Sequence, residues 1–306
     1  MKKIFLLALA LILAIGADAK PKQTKALDLR IGTYNIWSNI ARRGNIKAGK
    51  ASPARSWDNS KQAVADLIVD LNCDIIGMQE VTGVCRDDLA ELVRKSGGKR
   101  YKLWWVDTYP SPRKDIGSAV FYDKKKFAFS QQSIYYFSPT PEEPSKGWDE
   151  KKFLRAALTA VVTHKKTGKK FFFIANHGPL AKEANAMSGQ LLVEWDTKYN
   201  TEGLPTIVVG DMNARPTSVC YKNMLTHYED CYLVAEKKSG TVGTFNSARG
   251  KSIDNSRRID HIYVHSTDKG TFKVKSYEVN LDKLNCGGEM HYPADHNPVI
   301  VNMTLK

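Results

Sequence analysis

Apolar, β-branched runs recur along this chain, and most of them stop at a polar residue. The clearest is Ile207-Val208-Val209, which reads as a strand buried on both faces. It ends at Gly210 and is followed by Asp211 and Asn213. The C-terminal edge of a strand is where layered α/β folds place chemistry. Asp and Asn also favour turns, so this stretch alone leaves both readings open.

Residues 27–37 alternate and predict a first strand ending near Asn35. Residues 38–53 read as a basic, Gly-containing loop. From Arg55, the residues Trp57, Val64, Leu67, Ile68 and Leu71 share one helical face. Residues 74–81 predict a second buried strand ending in Gln79-Glu80, and 87–93 a helix closed by Gly97-Gly98. Strands follow at 101–107, 118–122, 133–137, 156–164 and 170–175, with Thr167-Gly168 as a hairpin turn. Residues 138–150, rich in Pro and Glu, read as a loop, and 181–199 as a helix with Leu191, Leu192 and Trp195 inward. Beyond the opening strand come a helix near 218–228, a polar loop at 236–256, and strands at 259–264, 272–279 and 299–305.

So many strands, often joined by hairpins, do not suit one open twisted sheet. Two packed sheets with helices outside would bury them. No repeat or linker divides the chain, which predicts one domain over 27–306. Before it, Lys2-Lys3, an apolar run over 4–15 and Ala17-Asp18-Ala19 have the form of a cleaved export signal over 1–19. Residues 20–26 form a polar leader. The apolar run is shorter than the ~20 residues a membrane span needs, so the expected product is secreted or periplasmic.

The formal net charge of +14 suits a polyanionic partner such as nucleic acid or an anionic membrane. Much of it sits in the clusters Lys124-Lys125-Lys126, Lys165-Lys166 and Lys169-Lys170, which read as loops and solvated faces. Cys73, Cys85, Cys220, Cys231 and Cys286 are odd in number, so at least one is unpaired within the chain. Across a helix, Cys220 and Cys231 would lie about 16 Å apart, too far to bridge. No Cys-x-x-Cys occurs, which argues against a zinc site.

Polar residues of the acid, amide or imidazole type end five further segments: Tyr34-Asn35, Gln79-Glu80, Asn176-His177, Asp260-His261 and Asp295-His296. Together with Asp211 and Asn213 they exceed what turn chemistry explains. In chain order, TYNI (33–36), IIGMQEV (75–81), GSAVFY (117–122), ANHGPL (175–180), VVGDMNARP (208–216), GTFN (243–246), RIDHIYV (258–264) and PADHNPV (293–299) resemble the endonuclease/exonuclease/phosphatase superfamily over nearly the whole chain after the leader. That group includes pancreatic deoxyribonuclease, abasic-site nucleases, neutral sphingomyelinases and inositol-polyphosphate 5-phosphatases. The resemblance implies a four-layer α/β/β/α sandwich of two packed mixed β-sheets, with the site at the top of both.

The residue types fit that chemistry. A phosphoric ester is anionic and repels an attacking hydroxide. Its hydrolysis calls for a hard cation, a base and donors to the phosphoryl oxygens. By resemblance, Glu80 is the main ligand of Mg²⁺ (Mn²⁺ as a substitute), Asn35 assists, and Asp295 lies near the metal. Asp211 orients or deprotonates water, while Asn213 and His177 hold phosphate oxygens. His296 contacts the phosphate or transfers a proton, with Asp260 behind it. Pairing of Asp260 with Arg257 or Arg258 is the alternative. Arg155 and Tyr122 are weaker candidates, equally explained by packing. His261 faces away from Asp260 on the strand and is structural; His164, His265 and His291 read as surface residues, and His227 as a helical residue of either kind.

Met212 stands where the family often has an aromatic. Trp37 and His177 replace the acid and the Asn of the abasic-site nucleases, which points toward the deoxyribonuclease-like and lipase-like branches. The expected protein is thus an exported, monomeric, Mg²⁺-dependent phosphodiesterase acting as a nuclease on DNA or RNA. The alternatives are a phospholipid or inositol-phosphate head-group hydrolase and a non-catalytic binding module. For membrane contact, Trp104-Trp105 and Trp148 are the available aromatics, although one of the first two should face the core.

Overall fold

A computed structural model describes residues 26–109, 116–250 and 252–306. The expected export signal, and all but the last residue of the leader, lie outside the described residues. The chain runs β1 (Leu27–Asn35), α1 (Asn39–Lys47), α2 (Trp57–Asp70), β2 (Ile75–Thr82), α3 (Gly83–Lys95), β3 (Tyr101–Asp107) and β4 (Ile116–Asp123). It continues through β5 (Phe127–Tyr136), β6 (Ala156–His164), β7 (Lys170–His177), α4 (Lys182–Tyr199), β8 (Thr206–Asp211) and α5 (Val219–Met224). The remainder comprises β9 (Glu229–Asp230), α6 (Cys231–Val234), β10 (Lys237–Ser239), β11 (Asp260–His265), β12 (Phe272–Val279), β13 (Leu284–Cys286), β14 (Glu289–His291) and β15 (Val299–Leu305).

Two mixed sheets form, in the orders β10-β12-β15-β1-β2-β4-β3 and β5-β6-β7-β8-β11-β9, beside a small β13-β14 hairpin. Strand alternation sorts the side chains into three apolar layers. Leu29, Ile31 and Ile75 from one sheet meet Phe173, Ile207, Val209 and Ile262 from the other, filling the space between the sheets. The opposite faces carry the helices. Tyr34, Ile76 and Met78 pack on Val64, Leu67 and Ile68 of α2 and Leu89 of α3. Phe172, Ile174 and Val208 pack on Leu192 and Trp195 of α4 and Met224 of α5. The result is the expected α/β/β/α sandwich.

The sheets approach closely near the end that carries the polar residues. A Cβ on Gly77 of β2 would lie 2.5 Å from Val209 Cγ2 and 3.2 Å from Ala175 Cβ of the other sheet. Gly77 is therefore required by close approach. Just beyond it, Thr33 and Gln79 are fully buried and hydrogen bond to each other, Nε2 to Oγ1 at 3.2 Å.

Several local expectations change. The loop read over 38–53 contains α1, whose sequence NIARRGNIK has no apolar stripe and includes a Gly. Ser38 caps it by accepting from Ala41 N. The helix expected near 218–228 ends at Met224, so His227 sits in the turn after it, at 3.1 Å from Asp196. The strand expected over 133–137 starts at Phe127, and the polar loop over 236–256 includes β10. All five cysteines are buried and free. Trp104 packs on the inter-sheet core and Trp105 on the outer layer, where Arg86 covers its ring at 4.5 Å.

Candidate active site

Strand parity explains which polar groups gather. Ile31, Phe173, Val209 and Ile262 point between the sheets. Residues an even number of positions away on the same strands do likewise, and these are Asn35, His177, Asp211 and Asp260. Each lies at the edge where the sheets approach, and each is buried. His261 takes the other face, where its Nε2 lies 2.8 Å from Ala214 O. It is structural, as expected. Arg258 does not pair with Asp260; it binds Asp230 at 2.8 Å.

Glu80 breaks the parity. Gln79 already takes the inner face of β2, so a regular strand would turn Glu80 outward. A bulge lies between Met78 and Val81, and Glu80 adopts φ 61°. Such a backbone is costly for a non-glycine residue and persists where its surroundings hold it. Here Ser38 donates to Glu80 Oε2 from both N (3.0 Å) and Oγ (3.1 Å). Asn35 Nδ2 approaches Oε1 at 3.3 Å. The same amide donates to Asp211 Oδ2 at 3.0 Å, while Asn35 Oδ1 accepts from Trp37 N. One carboxamide thus links a carboxylate of each sheet.

Asp211 stands at the centre. Asn213 N donates to its Oδ1 at 2.9 Å; Asn213 has φ 49°, a conformation Asn tolerates, and its Nδ2 donates to Gly178 O. Nε2 of His177 and Nε2 of His296 lie 3.6 Å and 3.7 Å from Asp211 Oδ2. Burial chiefly raises the Asp211 carboxyl to about 6, against the opposing pull of His296. Arg155, half-buried, lies against the His177 ring. Burial first, then Arg155 and His296, hold His177 well below its ordinary value, so it is neutral.

His296 is the opposite case. Its Nδ1 meets Asp260 Oδ2 at 2.8 Å, and Thr244 Oγ1 donates to the same oxygen at 2.6 Å. Burial lowers the imidazole, but Asp260 and Asp211 outweigh it and raise it to about 10. One imidazole is thus held neutral and the other protonated, on either side of one carboxylate.

Two groups of ligands compete as a cation site. Asp211, Asp260 and His296 offer atoms all within 4.8 Å of one another. In that cluster His296 Nδ1 and Thr244 Oγ1 already take Asp260 Oδ2, while Asp260 Oδ1, like Asp295 Oδ1, is buried without a partner. Glu80 and Asp295 suit a cation better. Asp295 Oδ1 is buried with no hydrogen-bond partner. Burial, with repulsion from Glu80 behind it, raises the Asp295 carboxyl to about 7. Two neighbouring carboxylates, one with an orphaned oxygen, are what a hard cation relieves.

Residues 32–296 match the family model described as the Endonuclease/Exonuclease/phosphatase family. The chain belongs to this family. Its members hydrolyse phosphoric esters and in general depend on a divalent metal ion, so the protein is a phosphoric-ester hydrolase. An endonuclease/exonuclease/phosphatase family protein from Bacteroides thetaiotaomicron is 28% identical, with a TM-score of 0.80 over 92% of this chain and 98% of that one. A mannosyl-6-phosphatase from Bacteroides thetaiotaomicron VPI-5482 is also 28% identical, with a TM-score of 0.77 over 90% of this chain and 99% of that one. Uncharacterized protein L388 of Acanthamoeba polyphaga mimivirus is 26% identical over 160 residues, 51% of this chain and 59% of that protein's length.

The residues read from sequence converge in one cluster: Asn35, Glu80, His177, Asp211, Asn213, Asp260, Asp295 and His296. Arg155 joins them. Tyr122 does not, since its ring stacks on Phe129 at 4.1 Å in the inter-sheet core. Ser38, Thr244, Arg42 and Arg55 were not foreseen. Arg42 and Arg55 lie over the ring of Trp37 at 4.8 and 4.9 Å and donate to backbone carbonyls that include Ile36, Pro293 and Ala294. They fix the segments that carry Asn35 and Asp295. A polar helix cap and a buried Arg leave no periodic mark, although GTFN (243–246) does contain Thr244.

Proposed function

We propose that this hydrolase removes phosphate from a small polar alcohol of the sugar-phosphate class, with Mg²⁺ as its cation and Mn²⁺ as a substitute. The likeness to a mannosyl-6-phosphatase over 90% of the chain carries this reading. The charge distribution supports it. Lys124 to Lys126 join β4 to β5, and Lys165 to Lys170 join β6 to β7. Both turns lie at the end of the sandwich opposite His177, about 23 Å away along β7 at ~3.3 Å per residue. Lys126 binds Asp74, and Lys170 binds Glu202. These clusters do not flank the site as a nucleic-acid track would.

A cation held by Glu80 and Asp295 would neutralise charge on the phosphoryl oxygens. Asp211, oriented by Asn35 and by Asn213 N, takes the proton of the attacking water. His296, kept protonated by Asp260, donates to a phosphoryl or leaving oxygen. Neutral His177 and Arg155 bind the remaining oxygens. Export after cleavage near Ala19, and a monomer, complete the proposal; the basic start and apolar run of the sequence support the first.

A nuclease is the second reading, favoured by the net charge of +14. A panel decides: residues 20–306 with Mg²⁺ on mannose 6-phosphate, plasmid DNA, RNA, sphingomyelin and inositol phosphates. Phosphate release from the sugar ester is expected. DNA or RNA cleavage without that release would overturn the proposal in favour of the nuclease.

A further inference from the structure

A cavity of about 670 Å³ opens beside the catalytic end and has no part in the scheme above. Three separate segments line it: 49–52 after α1, the turn at Arg249-Gly250, and the β13–β14 hairpin with Lys283 before it. Each brings one exposed cation, Lys50, Arg249 and Lys283. Among the described residues none of the three has a carboxylate partner. Lys283 lies over the Tyr292 ring at 5.2 Å, and the nearby Glu289 carboxylate pairs with His291 at 2.7 Å. Like charges brought by three segments to one space repel, and a bound anion removes that repulsion.

The cavity is tied to the site by short steps. Gly250 N donates to Ser247 O at 3.1 Å, and Ser247 N donates to Asp295 O at 3.2 Å. A turn holds its ends within about 7 Å, which places Gly250 on the order of 10 Å from Asp295. Arg55 lies beneath this floor. A Cβ on Gly250 (φ 61°) would meet Arg55 Nη1 at 2.6 Å. The same guanidinium donates to Ala294 O at 2.6 Å.

We infer that this cavity receives a second anionic group of the substrate, a phosphate, sulfate or carboxylate, while its phosphate ester lies at Asp211 and His296. The inference rests on the sugar-phosphate reading. A free anion would satisfy the same three cations, so the test separates the two sources.

The test compares the mature protein with its Lys50→Ala/Arg249→Ala/Lys283→Ala variant. The preference in kcat/KM for fructose 1,6-bisphosphate over mannose 6-phosphate should fall about tenfold, the effect of ~1.4 kcal/mol. An unchanged preference overturns the inference, including when inorganic phosphate still binds more weakly to the variant, because the site then serves a free anion. Calorimetric binding of fructose 1,6-bisphosphate in EDTA gives a readout independent of turnover. If neither ester is hydrolysed, the sugar-phosphate reading fails alone. A tenfold weaker Kd in the variant for fructose 1,6-bisphosphate, with mannose 6-phosphate binding unchanged, would still support the second anionic contact; equal Kd values, or equal weakening for both esters, would refute it.

Discussion

Asn35 Nδ2 donates to Asp211 Oδ2 at 3.0 Å, joining the last residue of β1 in one sheet to the last residue of β8 in the other. The bond crosses from one sheet to the other, and the same amide lies 3.3 Å from Glu80. Asn35 therefore holds Asp211, the proposed base, and Glu80, the proposed cation ligand, in one frame. Asn35→Ala should lower kcat by roughly 10–100-fold, the range for groups that orient ligands. It should also raise the Mg²⁺ concentration needed for half-maximal rate. Metal titration of the variant checks both effects; a normal metal requirement would show that Asn35 does not hold the cation ligand.

Strand ends made most of the site legible in advance. Asn35, His177, Asp211 and Asp260 stand at the ends of four apolar strands, which the sequence showed, and the family resemblance implied that those ends meet; that all four share the inner face is seen in the fold. The two-sheet architecture followed from strand number and hairpin spacing. Glu80 was nameable from its motif, but its direction was not. A one-residue bulge reverses parity, and nothing in IIGMQEV marks φ 61°. Helix α1 was missed because buried Arg42, rather than an apolar stripe, fixes it. Substrate choice stayed hidden for a related reason: charge counts do not tell which end of a sheet a lysine occupies.

The His296–Asp260 pair should govern catalysis and leave the fold intact. His296→Ala should cost roughly 10²–10⁴-fold in kcat, as for a lost acid–base group. Asp260→Asn removes the negative charge that raises His296 and should move the alkaline limb of the rate profile to lower pH. Rate profiles of the wild type and Asp260→Asn measure the displacement, and circular dichroism confirms folding. An unmoved limb would show that His296 is not the acid.

On the acidic side, Asp211 near 6 must lose its proton to act as base. With cation saturating, kcat/KM should rise with pH and flatten at or below about 6, since a bound cation draws the carboxyl down. In Asp211→Asn this limb disappears together with most of the rate. Persistence of the limb in the variant would assign the base to another group.

His296 also sets a stability slope in the metal-free protein. Its folded value near 10 exceeds the unfolded ~6.5. The folded state therefore holds the extra proton between those values. The stabilisation is complete below pH 6.5 and is lost as pH rises toward 10. Between pH 7 and 9 this amounts to about 2–3 kcal/mol. In EDTA, urea midpoints should fall over that interval in the wild type, and the fall should be smaller in His296→Gln, where the raised Asp295 carboxyl leaves a residual slope. Equal slopes in the two proteins would mean that the imidazole is neutral and that Asp260 is not its charge partner.

Chelation gives the last expectation. Glu80 and Asp295 repel each other, and Asp295 Oδ1 has no donor. A cation bound between them should stabilise the fold by mass action, about 2.7 kcal/mol at one hundred times its Kd. EDTA should abolish turnover and lower Tm, and Mg²⁺ or Mn²⁺ should restore both. Asp295→Asn removes one of the two like charges, so its metal-free Tm should equal or exceed that of the wild type while its Mg²⁺-dependent rise in Tm shrinks. If the variant kept the full rise, the cation would lie instead in the Asp211–Asp260–His296 cluster.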